Sequence, residues 1–391
     1  MTLKQKVDGL KNELIALRRD FHMYPELGFQ EYRTSNKVSS YLKNCNLEIS
    51  KVAETGVVGL LKGKEKGKTL LLRADMDALP IKEQTGLPYA SKHDGIMHAC
   101  GHDGHTAMLM VAARILAQYR EKLKGNIKFV FQPNEEDAGA KLIIDEGVME
   151  SPAVDAAAGA HLWPALKTGT VDISDGAVMA ASHYFYLTIN GQGGHAGTVN
   201  RTVDPIMVGA AVIQAVQAMQ TRELDPLQPV AIVFTKLYSG YNTTIVPEQA
   251  ELEGSIRCLT DQVKNLKDSF ERVISGICNA HRARYRLSFK VGNNIVTNDL
   301  PMVALAREAA AATLGDQKLL TSGLRTMGGE DFSEFSKLVP SVFYFIGTGN
   351  GLKNNTYSIH HPCYNLDEDA LPLGVELHVR LALAYFGIDH Y

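Results

Sequence analysis

The sequence predicts an α/β protein in which a smaller α+β module interrupts a larger α/β domain. Two observations carry this prediction. Apolar, strand-like runs alternate with helix-like stretches up to about residue 178, and that texture returns after residue 298. Between them, strands of alternating apolar and polar residues take over. We therefore expect a larger, doubly wound domain with a mixed sheet at residues 1–180 and 294–391, and the module at 181–293.

The first part of the chain supplies the larger domain's first strands and helices. Buried strands alternate with helices there, which favours a largely parallel sheet. We predict helices at 3–21, 34–42, 106–123 and 140–147, a β-ribbon at 49–61, and buried strands at 69–73, 126–132 and 156–161.

The middle and last parts follow a different order. Over residues 182–292 the pattern reads β-α-β-β-α-β, which fits a ferredoxin-like module. Its helices are predicted at 204–220 and 262–284, and its strands in HYFYLTINGQ, VAIVFTKLYSG, QAELEGSIRCL and RLSFKVGN. The larger domain then resumes with a helix at 302–314, the strand VFYFIGTG and a closing helix.

Composition and charge exclude several classes of protein. The chain has 391 residues, 45% of them hydrophobic and 21% charged, which suits two domains with buried cores and excludes disorder. The formal net charge of −3 argues against a partner that is nucleic acid or an anionic membrane.

The N-terminus and the cysteines bear on location. No apolar stretch is long enough for a membrane span, and charges run through the N-terminal helix, so we expect no signal peptide and a cytoplasmic protein. Five cysteines, an odd number, predict no disulfide framework. Only Cys100 has unusual neighbours.

Chemistry-bearing side chains follow three neighbouring strands of the predicted sheet. They are Asp75 and Asp77 after the first strand, Glu135 and Glu136 after the second, and His161 at the end of the third. The carboxyl ends of parallel strands meet at one edge, where open α/β sheets place their sites. A lone buried histidine is usually a core residue, and an acidic pair usually lies in a solvated loop. The prediction of a functional site therefore depends on all of these side chains meeting at one edge of the sheet.

The segment HACGHDGH strengthens that conjunction. Its eight residues hold His98, Cys100, His102, Asp103 and His105, a set with no packing rationale. A free cysteine alone is usually a small hydrophobe. Together with the adjacent pair that begins at His360, these thiol, imidazole and carboxylate groups suit Zn²⁺, Mn²⁺, Co²⁺ or Ni²⁺.

At this point the chain resembles a known family almost along its whole length. The motifs that carry the resemblance are RRDFHMYPELGFQE, LLLRADMDALPI, MHACGHDGHTAMLM, FVFQPNEED, GAHLWP, GQGGHAG, VPEQAELEGSIR, GGEDFSEF and IHHPCY. With these motifs in this order, the chain is similar to the metal-dependent aminoacylase/carboxypeptidase amidohydrolases (peptidase family M20), and most of all to the subgroup of N-acyl-amino-acid amidohydrolases, hippurate hydrolases and indole-acetyl-amino-acid hydrolases.

The resemblance implies a two-metal site. It implies two divalent ions per subunit, Zn²⁺ or Mn²⁺ before Co²⁺ or Ni²⁺, with the thiolate of Cys100 between them and Glu135 as general base for a metal-held hydroxide. The family spacing H-x-P favours His360 over His361 as the last ligand. The implied ligands are Cys100, His102, Glu136, His161 and His360.

The resemblance also implies roles around this centre. Asp77 orients a ligand imidazole, and His195 reaches the partner subunit's site to stabilise the tetrahedral oxyanion. Arg257 and Asn242 are candidates for binding the substrate carboxylate, although Thr244 departs from the family pattern. The simpler interpretation of the glycines around His195 is a turn. The simpler interpretation of Arg257 is a salt bridge at the edge of a strand. Asp75, where the wider family has a ligand His, and Glu330 receive no role.

We expect, on this basis, a hydrolase of N-acyl amino acids. Its phosphorylase/hydrolase-like α/β domain would carry catalysis, and the module would act as lid and dimerisation domain in a homodimer or larger homo-oligomer. The alternatives are a dipeptidase or carboxypeptidase of the same family, a hydrolase with Cys100 as nucleophile, which a chelator would leave active, and a non-catalytic binding protein, which would lack Glu135 or a ligand.

Overall fold

The computed structural model describes residues 1–260, 263–315, 320–353 and 355–389. Two compact units divide the chain: the first comprises Met1–Val178, Val296–Arg325 and Glu330–Tyr391, and the second Met179–Ile295 and Thr326–Gly329. Among the described residues, no helix combines the length and apolar character needed to cross a membrane.

Ten helices are numbered here in chain order, within the described ranges. They are α1 Leu3–Gly9, α2 Lys11–Met23, α3 Tyr32–Asn44, α4 His102–Leu116, α5 Ala140–Asp145, α6 Pro205–Arg222, α7 Val263–Ala280, α8 Leu300–Leu314, α9 Ser333–Ser336 and α10 Leu371–Tyr385.

The strands are numbered in the same way. They are β1 Glu48–Val52, β2 Gly56–Lys62, β3 Glu65–Asp75, β4 Lys124–Gln132, β5 Ala156–Lys167, β6 Val171–Asp172, β7 Gly176–Met179, β8 Ala181–Asn190, β9 Gly194–His195, β10 Val230–Ser239, β11 Ile245–Val246, β12 Gln249–Cys258, β13 Arg284–Val291, β14 Val296–Asn298, β15 Leu320–Thr321 and β16 Ser341–Gly349.

A mixed sheet of eight described strands forms the frame of the first unit. Its order is β1-β2-β4-β3-β5-β16-β6-β15. The central strands β4, β3, β5 and β16 run parallel to one another, whereas β1 and β2 are antiparallel additions. This confirms the predicted α/β architecture, and it brings the carboxyl ends of four strands to one edge.

Helix α4 crosses the core of the first unit. It packs against α2, α3, α10 and β3, and nearly every one of its residues is buried. A helix surrounded by other elements is apolar on all sides, which explains the run TAMLMVAARIL. The polar residues at its start therefore face the interior, where each needs a partner.

Within the described residues, the second unit contains a four-stranded antiparallel sheet, two long helices and the short pair β9 and β11. The strand order of the sheet is β10-β12-β8-β13, and α6 and α7 belong to the same unit. The main elements follow one another as β-α-β-β-α-β, the sequence of a ferredoxin-like motif. Along β8 buried residues alternate with more exposed ones, since one sheet face lies on the apolar core.

Several element boundaries differ from prediction; the helix expected at 106–123, for example, is α4 at His102–Leu116. The helix expected at 3–21 is two helices, because α1 ends at Gly9, a residue of low helix propensity. The strand expected to end at His161 continues to Lys167, because it pairs with β16 as far as that residue. The helix expected at 262–284 ends at Ala280. Its predicted first residue lies outside the described ranges.

Candidate active site

Cys100 and His102 come from the sharp bend that leads into α4. Gly101 between them has φ +91°, a left-handed conformation that side chains rarely adopt. A Cβ atom there would lie 3.0 Å from the hydroxyl of Tyr364. The bend lets both neighbours of Gly101 turn inward, and the side chains of Cys100 and His102 are buried, with 6% and 1% of their surface exposed.

Glu135 and Glu136 lie in a single 3-10 turn directly after β4. The residues on either side, Asn134 and Ala138, are left-handed with φ +53° and +63°. The backbone N–H of Asn134 donates to Oε1 of Glu31, 2.9 Å away. The turn is thus held at the sheet edge by a buried carboxylate from the segment YPELGFQE.

His161 and His360 arrive from other segments. On β5, the pairing with β3 ends at Gly159, so His161 lies just beyond the last paired residue on that side. His360 has φ +65° and its backbone N–H donates to the carbonyl of Ala99 over 2.7 Å. This bond ties the last predicted ligand to the loop that carries the first.

Among the described residues, five groups of potential metal donors converge, and Cys100 belongs to two of them. Within each group the ligand atoms lie within 4.8 Å of one another; the two groups that share Cys100 are Cys100, His102 and His161, and Cys100, Glu136 and His360. Nε2 of His161 lies 3.4 Å from Sγ of Cys100, and Nε2 of His360 lies 3.2 Å from Oε1 of Glu136. The structure therefore brings together all five predicted ligands.

The orientation of His102 fits a cation. Its Nδ1 lies 2.9 Å from the carbonyl oxygen and 3.2 Å from Oδ1 of Asp77, so Nδ1 carries the proton. Its Nε2 is buried and has no hydrogen-bond partner among the described residues. A buried lone pair facing a thiol and carboxylates matches the donor set of Zn²⁺ and related divalent ions, so the residues present fit such ions.

Glu135 belongs to the same cluster. Its Oε2 lies 4.0 Å from Nε2 of His102, and its Oε1 accepts from the backbone N–H of Asp331 at 3.4 Å. Burial, then the charges of Glu330 and Asp331, raise the pKa of Glu135 well above its usual range. A carboxyl group with a raised pKa can exchange protons near neutral pH.

The electrostatics differ among the histidines. Burial and the neighbouring His105 lower the pKa of His161, which keeps it neutral and able to bind a cation. Hydrogen bonds with Cys100 and Glu136 raise the pKa of His360 to about 10. The anionic groups that hold this proton are the same ones that a divalent cation would neutralise.

Three polar residues of HACGHDGH lie outside the two donor groups that share Cys100. Asp103 accepts hydrogen bonds from Arg18, and His105 contacts Asp75 and the backbone of Leu162. His98 is 1% exposed, and neither of its ring nitrogens has a partner in the described chain.

His361 is also elsewhere, as expected from the motif spacing. Its ring stacks on Tyr357 with centroids 4.4 Å apart, and its Nδ1 accepts from the backbone N–H of Cys363 at 3.0 Å.

The other predicted site residues belong to the second unit. His195 is exposed in β9, which pairs with β11, and its Nδ1 accepts from the N–H of Gly197 at 3.0 Å. Oδ1 of Asn242 accepts from both the backbone and the hydroxyl of Thr244, each over 2.9 Å. Nη1 of Arg257 donates to the carbonyl of Met327 at 3.1 Å.

Sequence reasoning missed a buried network around Arg73. The guanidinium group lies 2.6 Å from Asp75, 2.8 Å from Asp331 and 3.1 Å from Glu330. Its Nε donates to Gln132 at 2.9 Å. The available signal was an arginine at the end of the apolar run TLLLRAD, where a charge is retained only with partners.

Comparison with known proteins agrees with this arrangement. The model of peptidase family M20/M25/M40 matches residues 71–384. N-acetylcysteine deacetylase of Bacillus subtilis is 39% identical over 95% of this chain and 96% of its own, and thermostable carboxypeptidase 1 of Saccharolobus solfataricus is 36% identical over 98% of each. A crystal structure of the Bacillus subtilis YXEP protein, described as a dinuclear metal-binding peptidase of the M20 family, superimposes with a TM-score of 0.85 at 35% identity, covering 98% of this chain and 100% of that one.

Fold and site together define a hydrolase with a candidate metal centre. The chain belongs to peptidase family M20/M25/M40, and it acts on amide bonds.

Proposed function

We propose that the protein is a metal-dependent amidohydrolase that removes the acyl group from N-acyl amino acids, with Glu135 as its general base. The observation that carries the proposal is the pair of donor groups sharing Cys100, with a second carboxylate next to ligand Glu136. The 39%-identical N-acetylcysteine deacetylase supports an acyl substrate.

Cys100, His102 and His161 would hold one ion, and Cys100, Glu136 and His360 the other, with Zn²⁺ or Mn²⁺ as first candidates. When bound, the ions lower the pKa of water and polarise the scissile carbonyl. Glu135 takes the proton of the attacking water on Oε2, the oxygen nearer the ligands, and returns it to the leaving amine. Asp77 keeps His102 in the tautomer whose Nε2 is free.

Residues of the second unit supply the remaining roles. His195 donates a hydrogen bond to the tetrahedral oxyanion in the partner subunit's site, and Arg257 and Asn242 bind the substrate's carboxylate. We assign the second unit as an inserted lid and dimerisation domain of a homodimer. In support, β10 is an edge strand of its sheet and exposes Val233, Leu237 and Tyr238, as an edge that pairs with another copy would.

A second candidate function is hydrolysis of peptides with a free carboxylate, as in a dipeptidase or carboxypeptidase. The 36%-identical thermostable carboxypeptidase favours it. The chemistry at Glu135 would be the same, so the substrate alone separates the two.

The test is hydrolysis of a panel of N-acyl amino acids and dipeptides by metal-stripped protein resupplied with Zn²⁺, Mn²⁺, Co²⁺ or Ni²⁺. We expect activity on acyl substrates that requires metal, and a large loss of kcat in Glu135→Gln with metal still bound. Exposed Glu54→Gln is the matched control. Activity that survives metal removal would point instead to Cys100 as nucleophile, and preference for dipeptides to the second candidate.

A further inference from the structure

The carboxylate of Asp75, at the end of β3, is turned to His105 and not to a predicted ligand. We propose that Asp75 and His105 are positioning residues for His161: Asp75 fixes His105, and His105 fixes the strand segment that presents His161 to a cation. The proposal rests on the metal site proposed above and adds two residues to its support.

The carboxylate of Asp75 is immobilised from several sides. It is fully buried, its Oδ2 lies 2.6 Å from Nη1 of Arg73, and its own carbonyl accepts from the hydroxyl of Thr106 at 2.6 Å. Its Oδ1 lies 2.7 Å from Nδ1 of His105 but 3.9 Å from Nδ1 of His102. Asp75 therefore bonds to His105 and not to the ligand histidine.

The second nitrogen of His105 defines its tautomer. The backbone N–H of Leu162 donates to Nε2 of His105 at 2.9 Å, so Nε2 is the acceptor and Nδ1 carries the proton given to Asp75. Strand β3 pairs with β5 only as far as Gly159. A buried strand donor beyond that point needs another acceptor, and His105 provides it.

The segment held by His105 includes the ligand itself. Nδ1 of His161 donates to the carbonyl of Leu162 at 2.9 Å, which leaves Nε2 of His161 facing Sγ of Cys100 at 3.4 Å. The rings of His105 and His161 also meet edge to face, with centroids 4.7 Å apart and planes at 68°. His105 thus contacts both the backbone and the ring that set the direction of Nε2.

The experiment is a titration of metal-free protein with Co²⁺. Binding is measured by equilibrium dialysis and by the thiolate-to-cobalt absorption band. His105→Phe keeps a planar ring but removes both hydrogen bonds. We expect one of the two Co²⁺ affinities to fall about 10- to 100-fold, the usual effect of removing a group that orients a ligand. His378→Phe is the control, because His378 is equally buried and bonds to Tyr344 instead.

Two smaller changes separate the two hydrogen bonds and remain informative if His105→Phe does not fold. His105→Gln can still accept from Leu162, whereas His105→Asn can only reach Asp75. We expect His105→Gln to keep Co²⁺ affinity within about threefold of the original protein and His105→Asn to lose about tenfold or more. Equal Co²⁺ affinities in the original protein, His105→Gln and His105→Asn would overturn the proposal.

A double-mutant cycle tests whether Asp75 acts through His105. Asp75→Asn should weaken Co²⁺ binding by about tenfold alone, but by less than about twofold when added to His105→Phe. Fully additive effects would overturn the coupling. If the original protein does not bind two Co²⁺ ions, the proposed function itself fails. If the original protein binds two ions and His105→Phe binds both with the same affinities, only this inference fails.

Discussion

Arg18 and Asp103 form an ion pair from which water is excluded, with Nε 2.8 Å from Oδ2 and both side chains fully buried. The guanidinium group of Arg18 and the nearby His22 hold the pKa of Asp103 well below its usual range, against the effect of burial. Asp103 immediately follows His102, so the pair anchors the start of α4 to α2.

The first prediction concerns this pair. Arg18→Met leaves a buried carboxylate without its main partner and should lower the free energy of unfolding by about 3 kcal/mol or more. Denaturant titration measures the change. The adjacent Arg19→Met is the control, because Arg19 is 45% exposed in its bond to Glu368 and should lose less than about 1 kcal/mol. Equal losses would contradict the assignment.

A pH dependence is expected from Glu31. Burial raises its pKa from 4.5 to about 7, against hydrogen bonds from Thr55 and Asn134. Since the folded state holds the proton more tightly, the stabilisation is complete below pH 4.5 and is lost as the pH rises through about 7. Glu31→Gln, which can keep both hydrogen bonds, should remove this decline. Free energies of unfolding at pH 5 and pH 8, measured for the original protein and for Glu31→Gln, would show this difference. The same pH dependence in both proteins would exclude the role of Glu31.

Asp331 should matter for turnover although it is not a ligand. Its carboxylate accepts from Gln132 and from the backbone N–H of Ala140, and its own N–H reaches Glu135. Asp331→Asn places an amide against one of these donors. It should shift the turn that carries Glu135 and so lower kcat up to about 100-fold. Steady-state kinetics with metal analysis measures this. Asp299→Asn, at the N-cap of α8, should leave kcat unchanged.

Gly101→Ala should destabilise the bend between two proposed ligands, Cys100 and His102. An alanine at φ +91° costs about 1–2 kcal/mol, and its Cβ would press on Tyr364. Gly276→Ala is the opposite case, because Gly276 lies inside α7 with open space around its Cα, and alanine there should stabilise by about 0.5–1 kcal/mol. Thermal unfolding of both variants checks the signs; a neutral Gly101→Ala would be inconsistent with the strained bend.

His195→Ala tests the assignment of the second unit. Loss of a donor to the oxyanion should reduce kcat about 10²- to 10³-fold while metal content stays at the level of the original protein. Arg201→Ala, in the same exposed region, serves as control. An unchanged kcat would rule out the role across subunits.

The sequence predicted the sheet edge well, because parallel strands place their carboxyl ends together whatever the details of packing. Cys100, His102, Glu136, His161 and His360 do meet there. The residue pattern alone could not tell which imidazoles of HACGHDGH join the two donor groups that share Cys100. His102 and His105 are three residues apart on α4, and only distant partners, Asp77 for one and Asp75 for the other, distinguish them.

Long-range pairing accounts for two other differences. The extension of β5 beyond His161 depends on β16, which lies about 180 residues later in the chain. The role of Arg73 depends likewise on Asp331, which lies 258 residues away. Such pairings leave no local periodicity, so a pattern of neighbouring residues cannot reveal them.

The position of His360 gives the site a place in the order of synthesis. A ribosome makes Cys100, His102 and His161 long before it reaches His360, so every residue of one donor group exists before the other group is complete. The second group closes only when the segment after β16 has docked against Ala99. Binding of two ions would thus require that both ends of the interrupted domain have come together. A chain truncated before residue 360 would lack His360 and could not form the second donor group.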